Sequence, residues 1–135
     1  LGAEYTLPGV SQTVILTRAA GRTAVPEKER LSELAAHGAS MVIFLSAGRV
    51  AEAVSELLAG GYYTNETPAA VVYKATWPDE RILRTTLGEL AKDAEAAGIT
   101  KTALLLIGDF LGAAYENSKL YDPNFTTEFR EGKQA

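Results

Sequence analysis

The run Met41-Val42-Ile43-Phe44-Leu45 is apolar at every position and is followed by Ser46-Ala47-Gly48. Five residues without polar alternation fit a strand buried on both faces, as in a sheet covered by helices. Three more runs share that length and character: Thr13 to Thr17 (TVILT), Ala69 to Tyr73 (AAVVY) and Ala103 to Ile107 (ALLLI). Segments of helical period separate them. Pro26 to His37 sets Leu31, Leu34 and Ala35 on one face, with Pro26 suited to a first turn and Gly38 to the stop. Gly48 to Ala59 repeats Val50, Ala53, Val54, Leu57 and Leu58 at three and four, and Gly60-Gly61 ends it. The spacing predicts the longest helix from Asp79 as N-cap through Ile82, Leu83, Leu87 and Leu90 to Gly98.

Strand and helix therefore alternate, which predicts a three-layer α/β unit: a mixed, largely parallel sheet with flanking helices. Ligands in such sheets gather where the strands' C-terminal ends meet the loops. Beyond Gly108 the pattern weakens. Ser118 to Arg130 carries aromatics among polar residues and reads as a last strand or an arm laid over the sheet. Residues 1–10 hold a proline and two glycines without a period and read as a linker, with the domain proper at 11–135.

The composition narrows the functional classes. The chain has 135 residues, 47% hydrophobic, with no cysteine and a net charge of −4. That is one domain with a real core, without a disulfide framework or zinc ribbon. Thirteen basic residues against seventeen acidic ones, with no cationic tract, leave no footprint for nucleic acid. No apolar run is long enough for a membrane span, and no leader precedes the first strand, so the expected location is cytoplasmic. A first residue of leucine fits a processed start or a piece of a longer polypeptide.

No phosphate-binding glycine motif follows any strand, and no metal site is expected with His37 as the only histidine. His37 suits the last turn of a helix, where a cation meets the dipole. Ser46 reads as a helix cap or an anion contact; Asp109 lies just past the fourth strand, where a ligand-binding acid can sit, but reads rather as a solvated loop acid. Arg18 and Arg22 follow the first strand; their guanidinium forks could grip carboxylates or pair with Glu27 and Glu29. No residue stands out as a catalytic group.

Several strings are more particular. They are Leu7-Pro8-Gly9-Val10-Ser11-Gln12-Thr13, Thr17-Arg18-Ala19-Ala20-Gly21-Arg22-Thr23 and Val25-Pro26-Glu27-Lys28-Glu29. To these add Ala39 to Ala47, Val72-Tyr73-Lys74-Ala75-Thr76-Trp77-Pro78-Asp79-Glu80 and Ser118-Lys119-Leu120-Tyr121-Asp122-Pro123. Together they resemble the C-terminal domain of the tetrapyrrole methylases, and within that family the branch acting on precorrin-4 or cobalt-precorrin-4 at carbon 11.

The resemblance implies a two-domain enzyme of cobalamin synthesis with S-adenosylmethionine in the interdomain cleft and S-adenosylhomocysteine as product. Only the second domain is then present, its N-terminal domain being the missing partner. Position by position it implies cofactor contacts at Leu45 and Ser46, at Ala75 and Thr76, and at Thr102 and Ala103. Leu45 stands where many relatives have methionine. The substrate is a tetrapyrrole with many carboxylates, which favours Arg18 and Arg22 as its binding residues. A homodimer is implied for the full-length form, and this half alone is expected to bind cofactor weakly or undetectably. Without the resemblance, the alternatives are a stand-alone nucleotide-binding α/β module or a dimerisation domain.

Overall fold

The four apolar runs all form strands in the computed structural model, which describes residues 1–21, 23–45 and 48–112. They are β1 (Val14–Arg18), β2 (Ser40–Leu45), β3 (Pro68–Tyr73) and, last of the five, β5 (Ala103–Ile107). Helices α1 (Leu31–Ala35) and α2 (Val50–Ala59) lie where the periodicity sets them, α1 being shortened by a preceding 3-10 turn at Glu27–Glu29.

The expected long helix from Asp79 does not form. Arg81–Thr86 is instead strand β4, and only Leu90–Ala96 is helical, as α3. Ile82, Leu83, Leu87 and Leu90 satisfy helical spacing, but Leu83, Thr85 and Leu87 equally satisfy alternation. Pairing decides between the two. β4 folds back antiparallel on β3, from Pro68 opposite Thr86 to Tyr73 opposite Arg81, and so covers that strand's free edge. Leu83 packs on the core, and the Thr85 hydroxyl donates to the Asp93 carboxylate, tying β4 to α3.

The strand order is β1-β2-β5-β3-β4. The sheet is mixed and flanked by helices as expected, but it is not largely parallel. Only β1 and β2 pair in parallel; β5 runs antiparallel to both neighbours, and β4 to β3. The helical crossovers do keep β1, β2 and β3 pointing one way. β5 then enters the gap between β2 and β3 from the opposite direction.

The described residues also form two layers rather than three. Alternation puts Met41, Ile43, Val71, Leu105 and Ile107 on one face, in a single core with Leu31, Val50, Ala53, Leu57 and Leu90 of the three helices. Gly60 permits the close fit of α1 on α2, because a Cβ there would lie 2.6 Å from both the Ala35 Cβ and the Ser32 carbonyl oxygen. The other face carries Leu16, 69% exposed, and Phe44, 56% exposed. Residues 1–10 are partly docked: Leu7 is buried, and the Ser40 hydroxyl donates to the Tyr5 carbonyl at 2.6 Å.

Buried Tyr63 donates its hydroxyl to the Ala39 carbonyl at the start of β2, and burial pushes its pKa up. A raised folded-state pKa means the native state holds this proton more tightly than the unfolded chain. Stability is then full below the ordinary tyrosine value and falls as pH rises above about 10. Tyr63→Phe should cost about 1–3 kcal/mol at neutral pH, since it leaves the carbonyl without its donor. It should also flatten the alkaline decline. Urea unfolding from pH 7 upward measures both, and an equally steep alkaline loss in the variant contradicts the assignment.

Candidate functional site

Three strand ends meet at one edge of the sheet. Phe44 near the end of β2 stands opposite Leu104 of β5, which stands opposite Val72 near the end of β3. One step further, Leu45 faces Ala103, and Ala103 faces Tyr73. The loops beyond are stitched together: the Lys74 N–H donates to the Thr102 carbonyl at 2.9 Å, and the Gly48 N–H to the Thr100 carbonyl.

These ends line an open cavity of about 270 Å³. Phe44, Val72 and Leu104 give its apolar strand side, while Ala75, Thr102 and Ala103 are its small-residue lining. Lys74 and Trp77 complete it. A concave, mostly apolar site with few polar groups suits a small organic ligand held by packing and main-chain contacts.

The backbone here is unusual. Lys74, Thr76 and Thr102 have φ of 49°, 70° and 56°, and they are the non-glycine residues with left-handed backbone among those described. Such conformations cost of order 1–3 kcal/mol each and persist where the surroundings over-determine them, often at ligand sites. The surroundings do so here. The Trp77 N–H donates to the Lys74 carbonyl and the Glu80 N–H to the Trp77 carbonyl, both at 3.0 Å. The Glu80 carboxylate accepts the Thr76 N–H at 2.6 Å.

The Lys74 ammonium pairs with Asp79, which raises the lysine pKa and lowers that of the carboxyl. Its Nζ sits 5.2 Å from the Tyr73 ring centroid and 5.4 Å from that of Trp77. The Arg81 guanidinium lies 4.7 Å from the same Tyr73 ring. Asp79, expected as a helix cap, is thus the counter-ion of a turn.

Of the expected site residues, Ala75, Thr102 and Ala103 are brought together around the cavity, with Thr76 in the adjoining turn. Leu45 is in β2 opposite Ala103, and Ser46 lies outside the described residues. Arg18 sits opposite Phe44, but its guanidinium donates to the Thr23 and Ala24 carbonyls, each at 3.3 Å, and so braces the loop leaving β1. Arg22 also lies outside the described residues.

Asp109 does not join the site. Because β5 is antiparallel to β2 and β3, its C-terminal end is at the opposite edge of the sheet. His37 precedes β2 and is likewise at that far edge. Phe44, Lys74 and Trp77 received no role from sequence reasoning. The available signal was a lone tryptophan in the loop after a strand, directly before a proline.

The profile of the tetrapyrrole (corrin/porphyrin) methylases matches residues 1–91. The cobalt-precorrin-4 C(11)-methyltransferase of Methanocaldococcus jannaschii is 52% identical over 97% of this chain and 51% of its own length. Among solved structures, the cobalt precorrin-4 methyltransferase CbiF aligns with a TM-score of 0.76 and 47% identity, over 82% of this chain and 46% of that one. A uroporphyrin-III C-methyl transferase from Thermus thermophilus, complexed with S-adenyl homocysteine, shares the fold. It does so at 23% identity with a TM-score of 0.61, over 81% of this chain and 47% of that one. The chain spans about half the length of the curated relatives it matches. With a match over residues 1–91, the chain belongs to the tetrapyrrole (corrin/porphyrin) methylases.

Proposed function

We propose that this chain is the C-terminal half of an S-adenosylmethionine-dependent C-methyltransferase that acts at carbon 11 of precorrin-4 or cobalt-precorrin-4. Residues 1–10 serve as the linker from an N-terminal half, and 11–135 form the C-terminal α/β domain. The complete enzyme works in the cytoplasm as a homodimer. The observation that carries this reading is the convergence of Ala75, Thr102 and Ala103 on one apolar cavity, in a chain 52% identical to an enzyme of that name.

The residues fit the cofactor. The alanines leave space for a nucleoside beside the main chain, and the left-handed residues bend the chain around the cavity's rim. Leu45 and Ser46 are assigned to the cofactor through the family resemblance, and Thr76 adjoins Ala75 in the turn. Arg18 and Arg22 bind carboxylates of the macrocycle; Arg18 can do so with the N–H groups its loop carbonyls leave over.

When bound, S-adenosylmethionine supplies an electrophilic methyl group, so the step needs a nucleophilic carbon rather than an enzyme nucleophile. The chain's part is then to hold the donor in line and keep water out, a task suited to the apolar Phe44, Val72 and Leu104 once the cleft is closed. At about 270 Å³ the cavity falls below the usual range for sites that enclose a whole drug-sized ligand, as expected of one wall of a cleft.

Calorimetry with S-adenosylhomocysteine tests the site. The complete polypeptide should bind it at least about a hundredfold more tightly than this chain, whose own dissociation constant should be no better than about millimolar. Ala75→Leu in the complete polypeptide should weaken binding by about tenfold or more, with the circular dichroism spectrum unchanged. Tight one-to-one binding by the chain alone, or an unaffected Ala75→Leu, contradicts the reading.

A further inference from the structure

Trp77 is large, apolar and 56% exposed, yet it is held in place more firmly than an idle surface residue needs to be. Its backbone N–H and C=O are both used in consecutive turns, and its ring lies 5.4 Å from the Lys74 ammonium. Lys74 is in turn fixed by its left-handed backbone, its hydrogen bond to Thr102 and its pairing with Asp79. The indole borders the cavity alongside Ala75 and Thr102. An aromatic ring beside an apolar cavity, on a backbone fixed by two turns, is a stacking platform for a flat heteroaromatic ring.

We infer that Trp77 is the specificity-determining wall that stacks on the purine of the adenosyl group, with Lys74 as the residue that positions it. The inference rests on the cofactor reading of this cavity. It goes further in assigning the ring of the ligand to a side chain rather than to main chain alone. Stacking selects for a planar ring and tolerates changes at its edge, whereas main-chain hydrogen bonds read that edge. The two recognise the same ligand in different ways.

Trp77 is the chain's only tryptophan, so a single indole N–H signal reports on it. Adenosine, raised to about 10 mM to reach a weak site, is titrated into the full chain and followed by amide and indole NMR shifts. The inference predicts that the indole signal and the Thr102 and Ala103 amides move together with one dissociation constant. Trp77→Leu should raise that constant about tenfold, and Trp77→Phe should recover most of the loss.

Amide shifts at Thr102 and Ala103 with a still indole, or unaltered affinity in Trp77→Leu, overturn the role of Trp77 and leave the cofactor site standing. No shift at any of these positions, with the Thr102 and Ala103 amides still unmoved in the complete polypeptide, overturns the cofactor site and the inference with it. An indole signal that moves with protein concentration and not with adenosine also overturns the inference, by showing that Trp77 faces another protein copy.

Discussion

Replacing Leu105 with alanine lowers the unfolding free energy by about 3 kcal/mol, within the 2–5 kcal/mol range of buried leucine truncations. Leu105 is fully buried at the middle of β5, opposite Ile43 of β2 on one side and Val71 of β3 on the other. Those partners are also fully buried, so the space it vacates has no exposed side chain to collapse into it. β5 is moreover the only described strand that joins the β1-β2 pair to the β3-β4 pair. Loosening it loosens both halves of the sheet, and with them the three strand ends that form the cavity. Leu16→Ala is the matched control: the same truncation at a 69% exposed position should cost no more than about 0.5 kcal/mol. Urea unfolding of the two variants checks the pair. Equal costs contradict the assignment of Leu105 to the packed core and of Leu16 to an exposed position.

Much of this architecture is legible in the amino-acid order, and the failures have physical causes. The runs at 41–45, 69–73 and 103–107 announce strands because five consecutive apolar residues have few other stable settings. The direction of β5 is a different matter. Nothing within Ala103–Ile107 states whether it adds at the sheet's edge or inserts between β2 and β3, since a strand flanked on both sides looks alike in either direction. β4 was hidden for a related reason. Arg81–Thr86 fits two periods, and the free edge of β3, the strand just before it, selected the strand.

The site divides similarly. Ala75, Thr102 and Ala103 could be named only through resemblance, because small residues have no chemical signature of their own. Left-handed backbone at Lys74, Thr76 and Thr102 is invisible in sequence, since a side chain other than glycine gives no warning of it. Asp109, read rather as a solvated loop acid, is exposed, and the reason is topological. It lies just past a strand, as a ligand-binding acid would, but on a strand that runs the other way.

The second large effect concerns the reaction itself. In the proposed enzyme the cleft is shared between two halves, so neither half alone holds donor and acceptor in line. Alignment of two bound reactants is worth about 7–11 kcal/mol of a reaction barrier, and losing it removes turnover altogether in practice. This chain alone should therefore transfer no methyl group, while the complete polypeptide carrying it should do so. In the complete polypeptide, an Arg18→Ala, Arg22→Ala pair should raise KM for the macrocycle far more than KM for the cofactor. Equal rises in both would remove these arginines from the substrate site.

The most direct measurement supplies S-adenosylmethionine with a 13C-labelled methyl group to the complete polypeptide, together with precorrin-4 or its cobalt form. The product is then read by carbon NMR. The account predicts one labelled methyl per macrocycle, on carbon 11. Label on another carbon, or no transfer under conditions where the polypeptide binds S-adenosylhomocysteine, would contradict it.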